Sequence, residues 1–102
     1  MPLEINLTEE SQTDFEEAYF WYADVSENLG NRFSDEFYFS LEKISNQPLM
    51  YPKVIDDVRQ FVMENFPFYI FYLIDKKEIS VLVIVHHSRN PKYLKKRIRK
   101  IK

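Results

Sequence analysis

The sequence predicts an α+β fold. It has an N-terminal strand, then an antiparallel helical hairpin packed on a curved, mainly antiparallel sheet, in the order β-α-α-β-β-β, with a short basic helix at the C-terminus. Three observations predict it. Apolar residues between Phe15 and Ile44 recur at three- and four-residue steps. After Val58 the period shortens and β-branched and aromatic residues dominate. Gly30, Pro48, Pro67 and Pro91 punctuate the chain between these segments.

Leu3, Ile5 and Leu7 alternate with polar residues and read as a strand over 3–7. Thr8 precedes an acidic run and suits a helix N-cap, while Glu9, Glu10 and Asp14 suit the positive end of the helix dipole. Phe15, Ala18, Tyr19, Tyr22 and Val25 then mark one face of a helix over about 9–27. Gly30, the only glycine, marks the break near 26–30. Phe33, Phe37, Leu41 and Ile44 give the buried face of a second helix over about 30–46, which must end before Pro48. Residues 58–63, 68–74 and 79–87 read as strands, with turns at Asn65-Phe66-Pro67 and Asp75-Lys76-Lys77-Glu78. The last two strands are apolar on both faces, so both faces need a cover. The helices supply one; a curled sheet, the C-terminal segment or a partner must supply the other. Pro91 starts a helix to about residue 100 inside a basic tail over 91–102. No repeat or linker divides the chain, and residues 1–102 read as one domain.

Composition excludes several function classes. There is no cysteine, hence no disulfide framework and no thiolate chemistry, which fits a reducing cytosol. No apolar run reaches the ~18 residues of a membrane span, and residues 1–30 are acidic, unlike a signal peptide. The expectation is a soluble, cytoplasmic protein. Residues 1–47 hold 11 acids and two bases, whereas residues 48–102 hold five acids and 12 bases, so halves of −9 and +7 hide inside a net charge of −2. Seven of the last eleven residues are Lys or Arg. Such a tail either attracts nucleic acid or an acidic protein, or is simply a solvated terminus.

Chemistry-bearing residues are few. His86 and His87 are adjacent in a strand, so their side chains should point to opposite faces and cannot easily share one ion. No metal and no cofactor are expected. One glycine excludes a glycine-rich phosphate loop, and no nucleophile elbow is present. His86, Arg89 and Tyr93 carry the parts of a metal-independent ribonuclease site: a group that moves protons near neutral pH, a phosphate-holding guanidinium, and a hydroxyl or stacking ring. The plainer reading is a histidine capping the sheet end and an arginine held by a carboxylate. Register excludes Arg59 from this group. It should lie level with Leu73 and Ser80, about 20 Å from His86 at the strand rise. Arg59 is expected to pair with an acid of the N-terminal half or of a partner. Phe20, Trp21 and Phe39 fall off the core stripes; either the sheet or tail covers them, or they form a patch for a partner.

In this order the residues resemble the RelE/ParE superfamily of type II toxin–antitoxin toxins, known in some members as plasmid stabilisation proteins. The resemblance runs over about residues 3–98 and is carried by LGNRF at 29–33, LEKISNQP at 41–48, Arg59, FPFYIFY at 66–72, ISVLVIVHHSRNP at 79–91 and KKR at 95–97. The Phe-Pro-x-x-Ile-x-Tyr strand followed by His-x-x-Arg-x-Pro is its most specific part. Members often carry Trp three residues after that proline; here Leu94 stands there. The resemblance implies a helical hairpin on a curved antiparallel sheet. It also implies a cognate antitoxin, acidic and partly disordered, that folds on the toxin. Arg59, Phe20, Trp21, Phe39, Lys95, Lys96 and Arg97 are the residues that suit such a partner. RelE-like members cut mRNA on the ribosome with basic residues on the middle strands and near the sheet's C-terminal end; ParE-like members poison DNA gyrase and lack that set. Gln60, Val62 and Tyr69 occupy the middle-strand positions, which tilts the reading toward the ParE-like branch and away from an enzyme. The alternatives implied are a ribosome-dependent endoribonuclease using His86, Arg89 and Tyr93, and a homologue that only binds antitoxin. Assembly is open between a homodimer and a toxin–antitoxin hetero-oligomer.

Overall fold

The computed structural model describes residues 2–101. Its elements are β1 (Glu4–Leu7), α1 (Glu9–Val25), α2 (Glu27–Asn46), β2 (Lys53–Ile55), β3 (Val58–Val62), β4 (Phe68–Asp75), β5 (Glu78–His86) and α3 (Pro91–Ile101). This is the α+β order expected from the sequence, with one addition: β2, three residues long and too short to show a period, was not foreseen. The sheet order is β1-β5-β4-β3-β2. β1 runs parallel to β5 and the other pairs are antiparallel.

The hairpin is tighter than its composition suggests. Thr8 caps α1, its Oγ1 accepting from the Ser11 N–H at 3.1 Å. Ser26 alone separates the helices. Its backbone N–H closes α1 by donating to the Tyr22 carbonyl, and its Oγ opens α2 by accepting from the Leu29 N–H. Gly30 therefore does not mark the break; it lies one turn inside α2. A Cβ there would sit 2.8 Å from the Ala23 Cβ and 3.0 Å from its Cα, so the glycine is what lets the two helices approach. Antiparallel packing continues away from this contact, with Tyr22 against Phe33 and Phe15 against Phe37 at 4.5 Å between ring centroids. Val25, expected on the buried face, is 70% exposed: as the last residue of α1 it lies beyond the crossing with α2.

The first core lies between the hairpin and the sheet. Phe15, Phe33, Phe37, Leu41 and Ile44 meet Phe61, Phe66, Ile70, Tyr72, Ile79, Val81 and Ile84. Glu36 ties the β3–β4 turn to α2, accepting from both the backbone and side-chain N–H of Asn65. The second core is smaller. Val58, Phe71, Leu82, Val83 and Val85 are covered by Ile98 of α3. The C-terminal segment thus provides the cover that a doubly apolar β5 requires.

A β-bulge fixes which side chain reaches which face. Phe71 pairs with Val83 but Tyr72 pairs with Val81, leaving Leu82 as the extra residue. Leu82 and Val83 consequently both serve the second core, while Ile84 returns to the first. Had these residues continued in a regular ladder, period-two alternation from Val81 would have carried His86 to the α3 side of the sheet. The bulge turns it toward α1.

Candidate functional site

The strand end after β5 is built by a turn. The Arg89 N–H donates to the His86 carbonyl, and the Asn90 side chain accepts from the Lys92 N–H as Pro91 begins α3. This brings His86, Arg89 and Tyr93 to one cleft of about 310 Å³, together with Asp14, Glu17, Phe68 and Ser88. His86 Nδ1 accepts from the Ser88 N–H at 3.1 Å and lies 2.7 Å from its Oγ. A backbone donor at Nδ1 assigns the proton of the neutral ring to Nε2. The edge of the His86 ring meets Phe68 at 5.3 Å. The two histidines do not point to opposite faces. β5 ends at His86, and the chain turns so that the His87 ring stacks on it at 4.6 Å between centroids. Among the described residues, no group of three or more His, Cys, Asp or Glu is placed to hold a metal ion.

Arg89 lies over the Tyr93 ring at 4.1 Å. The hydroxyl of Tyr93 accepts from Arg97 at 2.6 Å, and Arg97 makes a two-pronged bond to Asp14, at 3.1 and 2.9 Å. Arg97 Nε also lies 3.3 Å from a Glu10 carboxylate oxygen, an ion-pair contact without hydrogen-bond geometry. Burial acts to lower the pKa of Arg97, but the hydrogen bonds and charge of Asp14, with Tyr93, outweigh it, and the net shift is upward. Asp14 also accepts from the Ile84 N–H at 3.1 Å. The reason is topological: β1 ends at Leu7, opposite Val81, so the distal half of β5 has no strand on that side, and α1 supplies the acceptor instead.

The other expected partner-facing residues divide. Phe20, Trp21 and Phe39 are 60%, 72% and 55% exposed, so neither sheet nor tail covers them. Lys95 and Lys96 are exposed on α3. Arg97 is not presented outward; its side chain is 13% exposed within the Asp14 pair. Arg59 finds no acid in the contacts above. Its guanidinium donates to the carbonyls of Leu49 and Tyr51 and holds the loop before β2. It pairs with Tyr72 rather than Leu73, one residue from the expected register, and Tyr72 pairs with Val81, so Arg59 remains far along the sheet from His86. Beside it, burial pushes the Tyr72 hydroxyl up to about 12, against the opposing charge of Arg59; that hydroxyl donates to the Pro48 carbonyl at 2.6 Å.

Sequence reasoning missed Asp14, Glu17, Ser88 and Phe68 as neighbours of His86. Asp14 is legible only as an acid toward the N-terminal end of α1, because its partner stands 83 residues away.

A hairpin laid on a mixed sheet, with a cleft of charged and aromatic side chains at the end of the last strand and exposed aromatics on the helices, defines a small α+β protein. The family model described as "ParE toxin of type II toxin-antitoxin system, parDE" matches residues 5–91, and the chain belongs to that family. Among solved structures it is similar to a chain from the chromosomal ParDE TA system of P. aeruginosa, with a TM-score of 0.71 and 19% identity over 82% of this chain and 95% of that one. At that identity the likeness speaks for the fold. No curated protein matches the chain. No helix among the described residues is long and apolar enough to cross a membrane.

Proposed function

We propose that this chain is the toxin of a type II toxin–antitoxin pair, that a cognate antitoxin neutralises it, and that it arrests growth by inhibiting DNA gyrase through binding rather than catalysis. Membership of the ParE family over residues 5–91 carries this reading. Two features of the site support binding over RNA cleavage. Gln60, Val62 and Tyr69 leave Arg59, held by the Leu49 and Tyr51 carbonyls, as the one basic residue of β3 and β4, and Glu17 puts a carboxylate on the α1 wall of the His86 cleft, which disfavours a phosphodiester there. The purified chain is expected to inhibit gyrase supercoiling or to trap cleaved DNA. Induction in cells should give DNA damage and filamentation with messages intact. A pure, folded protein without effect on gyrase would contradict the target.

The antitoxin is expected to cover the exposed Phe20, Trp21 and Phe39 and to set an acidic residue against Lys96. Affinity should then fall as salt is raised, because exposed charge pairs are screened. Salt-independent binding would place the contact on the aromatic surface alone.

One observation favours a second reading. His86, Arg89 and Tyr93 share one cleft, as a metal-independent endoribonuclease acting on ribosome-bound mRNA would require, with His86 moving the proton and Arg89 holding the scissile phosphate. Primer extension on translated messages after induction separates the two; unbroken messages exclude this reading.

A further inference from the structure

The sheet face opposite the helical hairpin is only partly covered. α3 packs along β5 and buries Ile98, leaving a strip over β2, β3 and β4 open. Between that strip and α3 runs a groove of about 370 Å³. Its walls are mostly apolar, with Val54 and Ile55 from β2, Tyr69 and Phe71 from β4, and Leu94 from α3, while His86 and His87 line the end where it adjoins the His86 cleft. Val54 is 43% exposed despite its place in a strand. The only formally charged residues lining the groove are Arg89 and Lys95. The neighbouring concavities differ. The one between α2 and β3 mixes Arg32 and Lys43 with Asp35, Glu36 and Glu64, and the His86 cleft contains Asp14 and Glu17. An apolar trough with a purely cationic edge is therefore particular to this side of the sheet.

We propose that this groove is where the toxin docks its target, and that its occupant is a short acidic polypeptide segment carrying one apolar anchor. The proposal rests on the reading of the chain as a toxin that acts by binding a protein. Charge complementarity selects the occupant: an acidic side chain meets Arg89 and Lys95, and the anchor enters the trough between Val54, Tyr69 and Leu94. Desolvated apolar anchors carry most of the energy in such contacts, and the charges at the edge steer the approach. Arg89 is held in place over the Tyr93 ring, so it loses little freedom on binding. A nucleic-acid strand fits less well. Its phosphates need cations along the whole track, whereas Val54, Gln60 and Tyr69 line the side away from α3. The exposed Phe20 and Trp21 belong to α1, on the other side of the sheet, so the aromatic part of the antitoxin contact lies away from the groove.

The test uses Val54→Asp and Lys95→Glu, singly and together, with Lys95→Arg as the conservative control. Thermal melting checks that each variant folds; both positions are exposed, and Lys95→Glu alone serves if the double variant does not fold. The double variant is expected to lose growth arrest on induction and to need about tenfold more protein for gyrase inhibition, while co-purifying with the co-expressed antitoxin as the wild type does. Lys95→Arg should keep its toxicity. A folded double variant that arrests growth like the wild type overturns the proposal, as does one that loses antitoxin and toxicity together, which would assign the groove to the antitoxin. Binding of a labelled mixed-sequence single-stranded RNA by the wild type, lost in the variant, overturns the polypeptide occupant. A wild-type chain that arrests growth without affecting gyrase sinks the gyrase reading alone, since growth arrest by the variants still reports on the groove. A wild-type chain that arrests nothing overturns both.

Discussion

The two faces of the sheet are covered by different physics. On one face, two helices of 17 and 20 residues bury a continuous layer of aromatic rings. On the other, one helix of 11 residues buries Ile98 and is fastened at its side by the Arg97–Asp14 pair. The first cover is hydrophobic, redundant and cooperative. The second depends on Ile98, with Tyr93 and Leu94 half-buried beside it, and on one charge pair, and it carries Arg89 and Tyr93 to the strand end. The candidate site residues thus sit on the less heavily fastened part of the molecule, which is expected to open locally at lower cost.

That contrast can be broken from either side. The largest effect is expected in the aromatic layer: Phe33→Ala removes a fully buried ring that touches Phe15, Tyr22 and Phe66 and should cost about 3–5 kcal/mol in chemical denaturation, with every probe lost together. Asp14→Ala should come next, at about 3 kcal/mol, because it leaves the Arg97 cation and the Ile84 N–H without their acceptor. Hydrogen exchange should then accelerate selectively in α3 and the distal half of β5. Uniform acceleration across all helices would show that the two covers are not separable.

The third prediction concerns alkaline pH. The Tyr72 hydroxyl is raised to about 12 by burial, above the ordinary value near 10 of an unfolded tyrosine. A group whose folded pKa is raised contributes fully below the unfolded value and loses that contribution as pH climbs through the folded one. Stability should therefore fall between about pH 10 and 12, by roughly 2–3 kcal/mol from this group. Tyr72→Phe should flatten the decline, although it is less stable at neutral pH by about 1 kcal/mol for the lost bond to Pro48. An identical decline in both proteins would remove Tyr72 as its source. The smallest effect is expected at the helix crossing. Gly30→Ala gains helix propensity but forces α1 and α2 apart at Ala23, for a net cost of about 1–2 kcal/mol in the same denaturation measurement.

Legibility in the sequence follows the same division. The stripe Phe33, Phe37, Leu41, Ile44 and the turn residues around Pro67 and Asp75 disclose their elements because period and punctuation are local signals. Gly30 misleads because a glycine that ends a helix and a glycine that admits a neighbouring helix look alike in one dimension. β2 is invisible because Lys53–Ile55 is too short to show alternation. At the site, the grouping of His86 with Arg89 and Tyr93 is readable, since a proline-led helix directly after a strand folds back on it. The facing of His86 is not, because it depends on the unpaired Leu82. Nor is the fate of Arg97, which follows from an aspartate at the far end of the chain and places inside the molecule a charge that composition assigns to the tail.

The central claim is that the strand-end cleft belongs to a binding protein and not to a nuclease. Induction of His86→Ala beside the wild type, with primer extension on translated messages and growth followed together, tests it most directly. The account predicts that the wild type arrests growth and that messages stay whole under the wild type and the variant alike. Messages cut by the wild type but spared by the variant, with growth restored, would contradict it.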